Sequence, residues 1–247
     1  MATTDFDGIS TEYTELMEQP WIKYVDLHTL LNMLGNIEGK SIMDLGCGER
    51  TFARLLMSQG AAEVFGVDLS ANMIEMAREV EIEQPLGIEY ACQDISQLKL
   101  EGKRFDKVVC DYVLNLAHTK ENLLKMCQSA YFHLKPGGSF CIADDNMELP
   151  PHLYPLAEKY GFSKRIDGPL IEGAPIHFRL PLGASVIEVE ETYLSRTSWE
   201  MAVRKSGFKQ IIWHLPQVSP EGLLFREAEY WRDFIEAPLS VYAEAIK

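Results

Sequence analysis

The stretch that decides the fold is SIMDLGCGER, residues 41–50. Three apolar residues surround Asp44, and two glycines, Gly46 and Gly48, follow before Arg50. This pattern predicts a buried strand that passes through a glycine turn into a helix. Glycine lets a ligand lie against the backbone, and the N–H groups at a helix start favour an anionic group such as a carboxylate. The stretch therefore predicts a turn that binds a ligand.

Short apolar runs alternate with amphipathic stretches from residue 41 to residue 145. Nearly unbroken apolar strands that alternate with helices are typical of a parallel sheet covered on both faces. The predicted fold class is α/β, a Rossmann-like doubly wound sheet. Residues 10–34 predict two helices interrupted at Pro20. The C-terminal part predicts, in order, a helix, a strand, a helix and a last strand: TSWEMAVRKSG, FKQIIWHL, EGLLFREAEYWRDFIE and SVYAEAIK.

The regular alternation stops after Asp145, where glycines, prolines and aromatic residues accumulate ahead of an alternating strand, VIEVEETYL. This composition predicts an insertion after the fifth strand. Its aromatic residues fit a lid over a compact planar or apolar acceptor, and they equally fit residues that only fill space above the sheet. We expect one domain, 1–247, made of N-terminal helices that form part of the lid (1–38), a cofactor-binding core (39–145), a substrate-lid insertion (146–196) and the completion of the sheet (197–247).

The charge of the chain argues against two kinds of partner. With 37 acidic and 23 basic residues, the formal net charge is −14, which repels nucleic acid and anionic membrane surfaces. The five cysteines form no CxxC pair and are typical of reduced thiols. The N-terminus lacks the pattern of a signal peptide, and no run reaches 18 apolar residues. We therefore expect a cytoplasmic protein.

The residues after the glycine turn indicate which cofactor it holds. A dinucleotide fingerprint requires a third glycine at the position of Thr51. Asp68 ends the second strand, where a carboxylate can accept hydrogen bonds from ribose hydroxyls, and Asp94 follows the third, suitably placed for an adenine amino group. Acids at the first three strand ends, without a basic phosphate clamp, suit a nucleoside that carries positive centres and no pyrophosphate. S-adenosylmethionine has this chemistry.

Five motifs in order, DLGCGER, VFGVDLSANMIEMAR, CQDI, FDKVVCDYVL and LKPGGSF, resemble the successive motifs of class I S-adenosylmethionine-dependent methyltransferases. The resemblance covers residues 10–145 firmly and the remainder loosely. It implies a seven-stranded sheet whose last strand, SVYAEAIK, is antiparallel. The overall layout most resembles the small-molecule branch, in particular N-methyltransferases of the toxoflavin-biosynthesis type. The implied product is S-adenosylhomocysteine.

The resemblance also implies a role for individual residues. Around the methionine part of the cofactor it places the residues of the first turn and of the fourth strand end, namely Asp44, Gly46, Cys47, Gly48 and Asp111. Around the nucleoside it places Asp68 on the ribose, Leu69 against the adenine, and Asp94 with the backbone N–H of Ile95 at the adenine edge.

Two further residues, Tyr13 and Arg50, bear on the same predicted site. The family often places an aromatic residue of the N-terminal helix over the cofactor, and Tyr13 is the candidate here. Arg50 stands where the family usually has glycine. Its guanidinium either pairs with the cofactor carboxylate or crowds the pocket and abolishes binding.

Methyl transfer from a sulfonium is an in-line displacement that requires no metal and no nucleophilic residue. If the acceptor is a hydroxyl or a protonated amine, a base must remove its proton. The candidates are His118, just after the fourth strand, and His152 and His177 in the insertion, with Tyr13 as a further catalytic candidate; a structural or surface role remains open for each histidine.

The predicted function is thus a small-molecule N- or O-methyltransferase. One alternative is a non-catalytic cofactor-binding or scaffold protein whose pocket Arg50 has altered. Another is a protein methyltransferase, for which the acidic surface would suit a basic protein substrate.

Overall fold

A computed structural model describes residues 15–49, 51–182 and 185–247, so Tyr13 and Arg50 lie outside the described residues. Within these ranges, ten strands form two sheets. The strands of the larger sheet are β1 (Ser41–Leu45), β2 (Glu63–Asp68), β3 (Glu89–Cys92), β4 (Phe105–Asp111), β5 (Leu134–Asp145), β9 (Gln210–His214) and β10 (Ser240–Ile246). The smaller sheet consists of β6 (Ser163–Ile166), β7 (Pro175–Leu182) and β8 (Ser185–Thr192).

The α-helices of the described residues include α1 (Leu27–Leu34), α2 (Thr51–Ser58), α3 (Ala71–Glu83), α4 (Lys120–His133), α5 (Arg196–Ser206), α6 (Pro220–Phe225) and α7 (Ala228–Glu236). A π-helical segment, Ile22–Asp26, leads into α1. Short 3₁₀ segments lie at Ile95–Gln97, Leu114–Ala117 and Pro151–Tyr160. Within the described ranges, no helix combines the length and the apolar character that a bilayer span requires.

The larger sheet has the order β3-β2-β1-β4-β5-β10-β9. β1 pairs in parallel with β2 and β4, whereas β10 runs antiparallel to both β5 and β9. The predicted doubly wound sheet with an antiparallel last strand is confirmed. The strand order reverses between β1 and β4, and in such sheets a crevice opens at this point, outside the carboxyl ends of the strands.

Burial on both faces explains why β1 is continuously apolar apart from Asp44. All five residues of β1 are buried. Because alternate side chains point to opposite faces, Ile42 packs in one apolar cluster, while Met43 and Leu45 pack in the other. The start of α3 shows the predicted N-cap, since Ser70 Oγ accepts a hydrogen bond from the N–H of Met73 at 3.1 Å.

The prediction of a single helix for EGLLFREAEYWRDFIE is wrong, because the structure has two helices there, α6 and α7. The backbone is extended at Arg226, with φ −143° and ψ 146°. This break lets Trp231 fold back, and its indole N–H donates to the carbonyl oxygen of Gly222 at 3.0 Å. Trp231 and Phe234 are buried as a result. Helical periodicity alone did not indicate the break, because both halves carry helical spacing.

The insertion after β5 is more regular than the sequence indicated. It contains the antiparallel sheet β6-β7-β8 and a 3₁₀ segment, where only the strand at VIEVEETYL was predicted. Phe162 packs against Trp21 of the N-terminal segment, with 4.9 Å between ring centroids, and against Phe178 of β7 at 6.4 Å. The insertion and the N-terminal segment thus share one apolar layer.

A buried carboxyl group ties the N-terminal segment to the large sheet. Asp26 is 1% exposed, and the hydroxyl of Tyr112 donates to its Oδ2 at 3.0 Å, while the hydroxyl of Tyr242 donates to its Oδ1. Tyr112 follows β4 and Tyr242 lies on β10, so Asp26 joins three parts of the chain. Burial raises the pKa of Asp26 to about 7, although the two tyrosine hydrogen bonds oppose this change.

Substitution of Asp26 by Asn is expected to change how stability depends on pH. The folded protein holds the Asp26 proton up to about pH 7, whereas an unfolded aspartate loses it near 3.8, so wild-type stability falls as the pH rises between these values. The full difference corresponds to about 4 kcal/mol. Urea unfolding between pH 4 and pH 8 should show the stability of Asp26→Asn rising relative to the wild type with increasing pH. Parallel stability curves would contradict the assignment.

Candidate active site

A cleft of about 290 Å³ opens at the carboxyl ends of β1 to β4. Of the nine predicted cofactor-binding residues, seven line it: Gly46, Gly48, Asp68, Leu69, Asp94, Ile95 and Asp111. The four strand ends thus bring together residues that are far apart in the sequence. Several lining residues were not predicted to contact a ligand, among them Met73, Tyr112, Val113, Asn122 and Met126.

The glycine turn is held in place from two sides. The N–H groups of Gly46 and Cys47 both donate to the carbonyl oxygen of Val67, at 2.7 and 3.0 Å. Gly46 has φ +77°, and a Cβ atom there would come within 2.2 Å of a Val113 methyl group. Position 46 therefore requires glycine, because its φ is positive and because the loop after β4 approaches it closely.

Asp68 connects the glycine turn to the start of α3. Its Oδ2 accepts from the N–H of Gly48 and its Oδ1 from the N–H of Ser70, both at 2.8 Å. These bonds fix the carboxylate at the edge of the cleft. A carboxylate at this position is of the chemical type that accepts hydrogen bonds from hydroxyl groups.

The far end of the cleft combines a polar and an apolar wall. Asp94 accepts from the N–H of Ser96 at 2.8 Å and from the side chain of Gln97 at 3.0 Å. Burial opposes ionisation, but these hydrogen bonds together lower the pKa of Asp94 and keep it charged. Leu69 lines the same cleft and is 72% exposed, so it presents apolar surface there. A flat apolar group with polar edges fits between these walls.

A small cavity of about 20 Å³ lies against the glycine turn and contains the two predicted residues that the cleft does not, Asp44 and Cys47. Gly46 and Asp111 line both spaces. Among the described residues, Asp44 Oδ2 and Asp111 Oδ1 are buried without a hydrogen-bond partner. Such oxygens are costly in a folded protein unless a ligand or water satisfies them.

The electrostatics of these acids favour a cationic ligand. Burial, followed by repulsion from Asp68, raises the pKa of Asp44 to about 7. Burial raises the pKa of Asp111 in the same way, with further repulsion from Asp26, Asp44 and Asp144. A positive group placed between these carboxyls would restore their ionised form and offset the repulsion.

A second cavity, of about 100 Å³, lies between the N-terminal segment and the insertion. Its walls are mainly aromatic and aliphatic, with Trp21, Phe162, Phe178, Leu180, Ile187 and Val189 among them. Its acidic and amide side chains in the described lining are Asp111, Asn115, Asp145 and Glu191. Asp111, Tyr112 and Leu116 line this cavity as well as the cleft, so the two compartments meet at the end of β4.

Of the predicted bases, the structure brings His118 to the site. It lines the cleft with φ +59°, and its Nδ1 lies 3.1 Å from the hydroxyl of Thr192. His152 is exposed on the 3₁₀ segment and lines neither compartment. His177 on β7 lies 3.6 Å from Asp167 and 3.7 Å from Glu190, outside both linings. A catalytic role for Tyr13 stays a prediction, because this residue lies outside the described ranges.

Sequence reasoning singled out Asp111 but missed three other polar residues of the second cavity, Asn115, Asp145 and Glu191. Asp145 ends β5, as the predicted acids end other strands, whereas Asn115 lies in a short 3₁₀ segment and carries no local signal. Glu191 did carry one, since it falls on the apolar face of an alternating strand, two residues after Val189. An acid at such a position is either unfavourable for folding or functional.

Comparison with known proteins agrees with this geometry. Residues 42–138 match a family model described as a methyltransferase domain. A ubiquinone biosynthesis O-methyltransferase of Coxiella burnetii is 31% identical over 135 residues, which cover 55% of this chain and 53% of that protein. The chain thus spans about half the length of the curated relatives it matches.

Solved structures extend the likeness of fold to the whole chain. The CcbJ methyltransferase of Streptomyces caelestis is 17% identical with a TM-score of 0.67, covering 99% of this chain and 98% of that one. An S-adenosylmethionine-dependent methyltransferase of Mesorhizobium loti is 21% identical with a TM-score of 0.62, covering 94% and 100%.

The chain therefore has the fold of the class I methyltransferases, and its residues 42–138 match the family model of a methyltransferase domain. Both findings agree with the family resemblance at the level of the class. The narrower resemblance to N-methyltransferases of the toxoflavin type stays a prediction.

Replacing Gly46 by Ala is expected to destabilise the protein more than replacing Gly137 by Ala. Both glycines have nearly the same φ, +77° and +78°, but a Cβ atom at Gly137 meets nothing within 4 Å. Both variants incur the backbone cost of about 1–2 kcal/mol, and only Gly46→Ala adds overpacking, typically about 1–3 kcal/mol. Calorimetry of the two variants measures the difference, and equal losses in Tm would refute the close contact with Val113.

Proposed function

We propose that this protein transfers a methyl group from S-adenosylmethionine to a nitrogen or oxygen atom of a small molecule. The observation that carries the proposal is the pair of buried carboxylate oxygens without partners, Asp44 Oδ2 and Asp111 Oδ1, at the mouth of the glycine turn. The match of residues 42–138 to a methyltransferase domain supports it.

The residues present fit this cofactor. It carries an ammonium and a sulfonium, the type of charge that Asp44 and Asp111 require, and its carboxylate suits the backbone N–H groups near the start of α2. Asp68 would bind the ribose hydroxyls. Leu69 and Ile95 would enclose the adenine, with Asp94 at its edge. When bound, the cofactor supplies a methyl group attached to a positively charged sulfur.

The contribution of the chain to the reaction is positioning. The cleft and the second cavity meet at Asp111 and Tyr112, so ligands in the two compartments face each other there. Holding two reactants in line can lower the barrier by about 7–11 kcal/mol. The apolar walls contributed by the N-terminal segment and the insertion exclude water from the acceptor.

The second cavity also indicates the class of acceptor. Its described lining contains no Lys, Arg or His, while it contains Asp111, Asp145 and Glu191. An acceptor with a phosphate or carboxylate would therefore be repelled, and a neutral or cationic acceptor is favoured. The size of the cavity and its aromatic walls suit a compact apolar body rather than a peptide chain.

Replacing Asp44 by Asn should weaken the binding of S-adenosylmethionine about tenfold or more, because the amide has nearly the same shape and lacks the charge. Wild-type affinity should also rise with pH through about 7, where Asp44 ionises, and the variant should lose this dependence. Titration calorimetry measures both effects. Asp233→Asn, which changes a carboxylate paired with Lys159, is the matched control and should bind like the wild type. Equal affinities for the wild type and Asp44→Asn would contradict the proposal.

Methyl transfer itself is tested with S-adenosylmethionine that carries a radioactive methyl group and a metabolite extract as the source of acceptors. The wild type should label at least one small molecule. Asp68→Ala should label none, because it removes the acceptor of the ribose and the bonds that hold the glycine turn. Equal labelling by both proteins would reject the cofactor site, and a wild type that releases no heat with S-adenosylmethionine would favour the scaffold alternative.

A further inference from the structure

Glu191 occupies an unusual position on β8. Side chains of a strand alternate between its faces, and Ile187, Val189 and Glu191 all line the second cavity. Val186 and Glu188, at alternate positions, are exposed. Glu191 is 5% exposed, so a carboxyl group lies on the face of the strand that is otherwise apolar. It therefore points to the space assigned to the acceptor.

The carboxyl of Glu191 is oriented by one neighbour and leaves one oxygen for a ligand. The side-chain amide of Asn115 donates to Oε1 of Glu191. Asn115 is itself fixed, since its backbone N–H donates to Oδ2 of Asp144 at 3.2 Å. Among the described residues, Oε2 of Glu191 has no hydrogen-bond partner. The geometry is that of a carboxylate held by one oxygen with the other directed to the cavity.

The surrounding charges make Glu191 a strong proton acceptor. Asp144 and Asp145 face it from β5, Lys164 from β6, and Tyr154 from the 3₁₀ segment. Lys164 is committed to Asp145, its Nζ lying 2.5 Å from Oδ2. Burial, with repulsion from Asp145 and Asp144, raises the pKa of Glu191 well above its ordinary value, and Lys164 opposes this only in part.

We propose that Glu191 is the general base of the reaction and removes the proton of an acceptor N–H or O–H that lies in the second cavity. This inference rests on the proposed function. The acceptor atom forms a bond to the methyl carbon as the carbon–sulfur bond breaks. The electron pair of the broken carbon–sulfur bond returns to sulfur, which becomes a neutral thioether. The acceptor proton passes to Oε2 of Glu191, so charge and atoms balance.

Two other groups are less suited to this role. Asp145 lines the same cavity, but its carboxylate already binds the ammonium of Lys164. His118 lines the cleft, not the second cavity, and its Nδ1 lies against the hydroxyl of Thr192. Glu191 is the carboxyl of this cavity that combines burial, an orienting partner and an oxygen available to a ligand.

The test compares Glu191→Gln with the wild type on whichever component of the labelled metabolite extract the wild type methylates. The kcat should fall about 100-fold or more, and KM should change by less than about threefold. Wild-type kcat should rise with pH as Glu191 ionises, and Glu191→Gln should lose this pH dependence. Glu191→Asp should recover part of the rate. Glu188→Gln, the same change on the exposed face of β8, should retain wild-type kinetics.

A second readout does not depend on turnover. In protein labelled with ¹³C at the glutamate carboxyl carbons, the signal absent from Glu191→Gln belongs to Glu191. The pKa read from this signal should lie well above the ordinary glutamate value of about 4.3. An ordinary titration would overturn the inference.

The remaining outcomes separate this inference from the proposed function. If Glu191→Gln keeps the wild-type kcat, Glu191 is not the general base, and the proposed methyl transfer is unaffected. If the wild type binds S-adenosylmethionine but labels no component of the extract, both the role of Glu191 and the proposed methyl transfer to a small molecule are contradicted, and only cofactor binding remains supported. Failure to bind S-adenosylmethionine would instead overturn the proposed function.

Discussion

Carboxyl groups crowd the carboxyl edge of the large sheet, and this repulsion is the constraint on which the site depends. Asp44, Asp68 and Asp111 come from three adjacent strands and lie close enough for their charges to interact. Burial, together with repulsion between neighbouring carboxylates, raises the pKa of Asp44 and Asp111, so negative charge at this edge of the sheet is unfavourable. A ligand with positive charge would offset this cost, which links the fold to the chemistry of a sulfonium cofactor.

Buried carboxyl groups also lie close together in the second cavity, where Asp145 and Glu191 have different partners. Asp145 is compensated by Lys164, a residue of the insertion whose ammonium also lies 4.5 Å from the centre of the Tyr154 ring. Glu191 receives an amide hydrogen bond from Asn115. One carboxyl is thereby neutralised, and the other keeps a high affinity for a proton. The insertion thus contributes the apolar walls of the second cavity together with its distinct polar group.

Much of the fold could be predicted because burial leaves a local record. The continuous apolar strands, the N-cap at Ser70 and the glycine turn at Gly46 each follow from neighbouring residues, and the structure has them where they were predicted. The strands β6 and β7 were missed, because they lie in the part of the sequence where glycines and prolines interrupt the regular alternation of strands and helices. The break between α6 and α7 depends on the packing of Trp231, which lies outside any local window.

The sequence by itself determined the order of strands and helices, the glycine turn and the acids at the first strand ends, because these depend on spacing along the chain. Only the tertiary structure decided which polar groups share a cavity. Asn115 and Glu191 are 76 positions apart, yet they form one hydrogen-bonded pair, whereas His152 comes to lie on the surface. The physical reason is that the alternation of residues along a strand indicates on which face of the sheet a side chain lies. The residue that it contacts on that face depends on how elements distant in the sequence pack together.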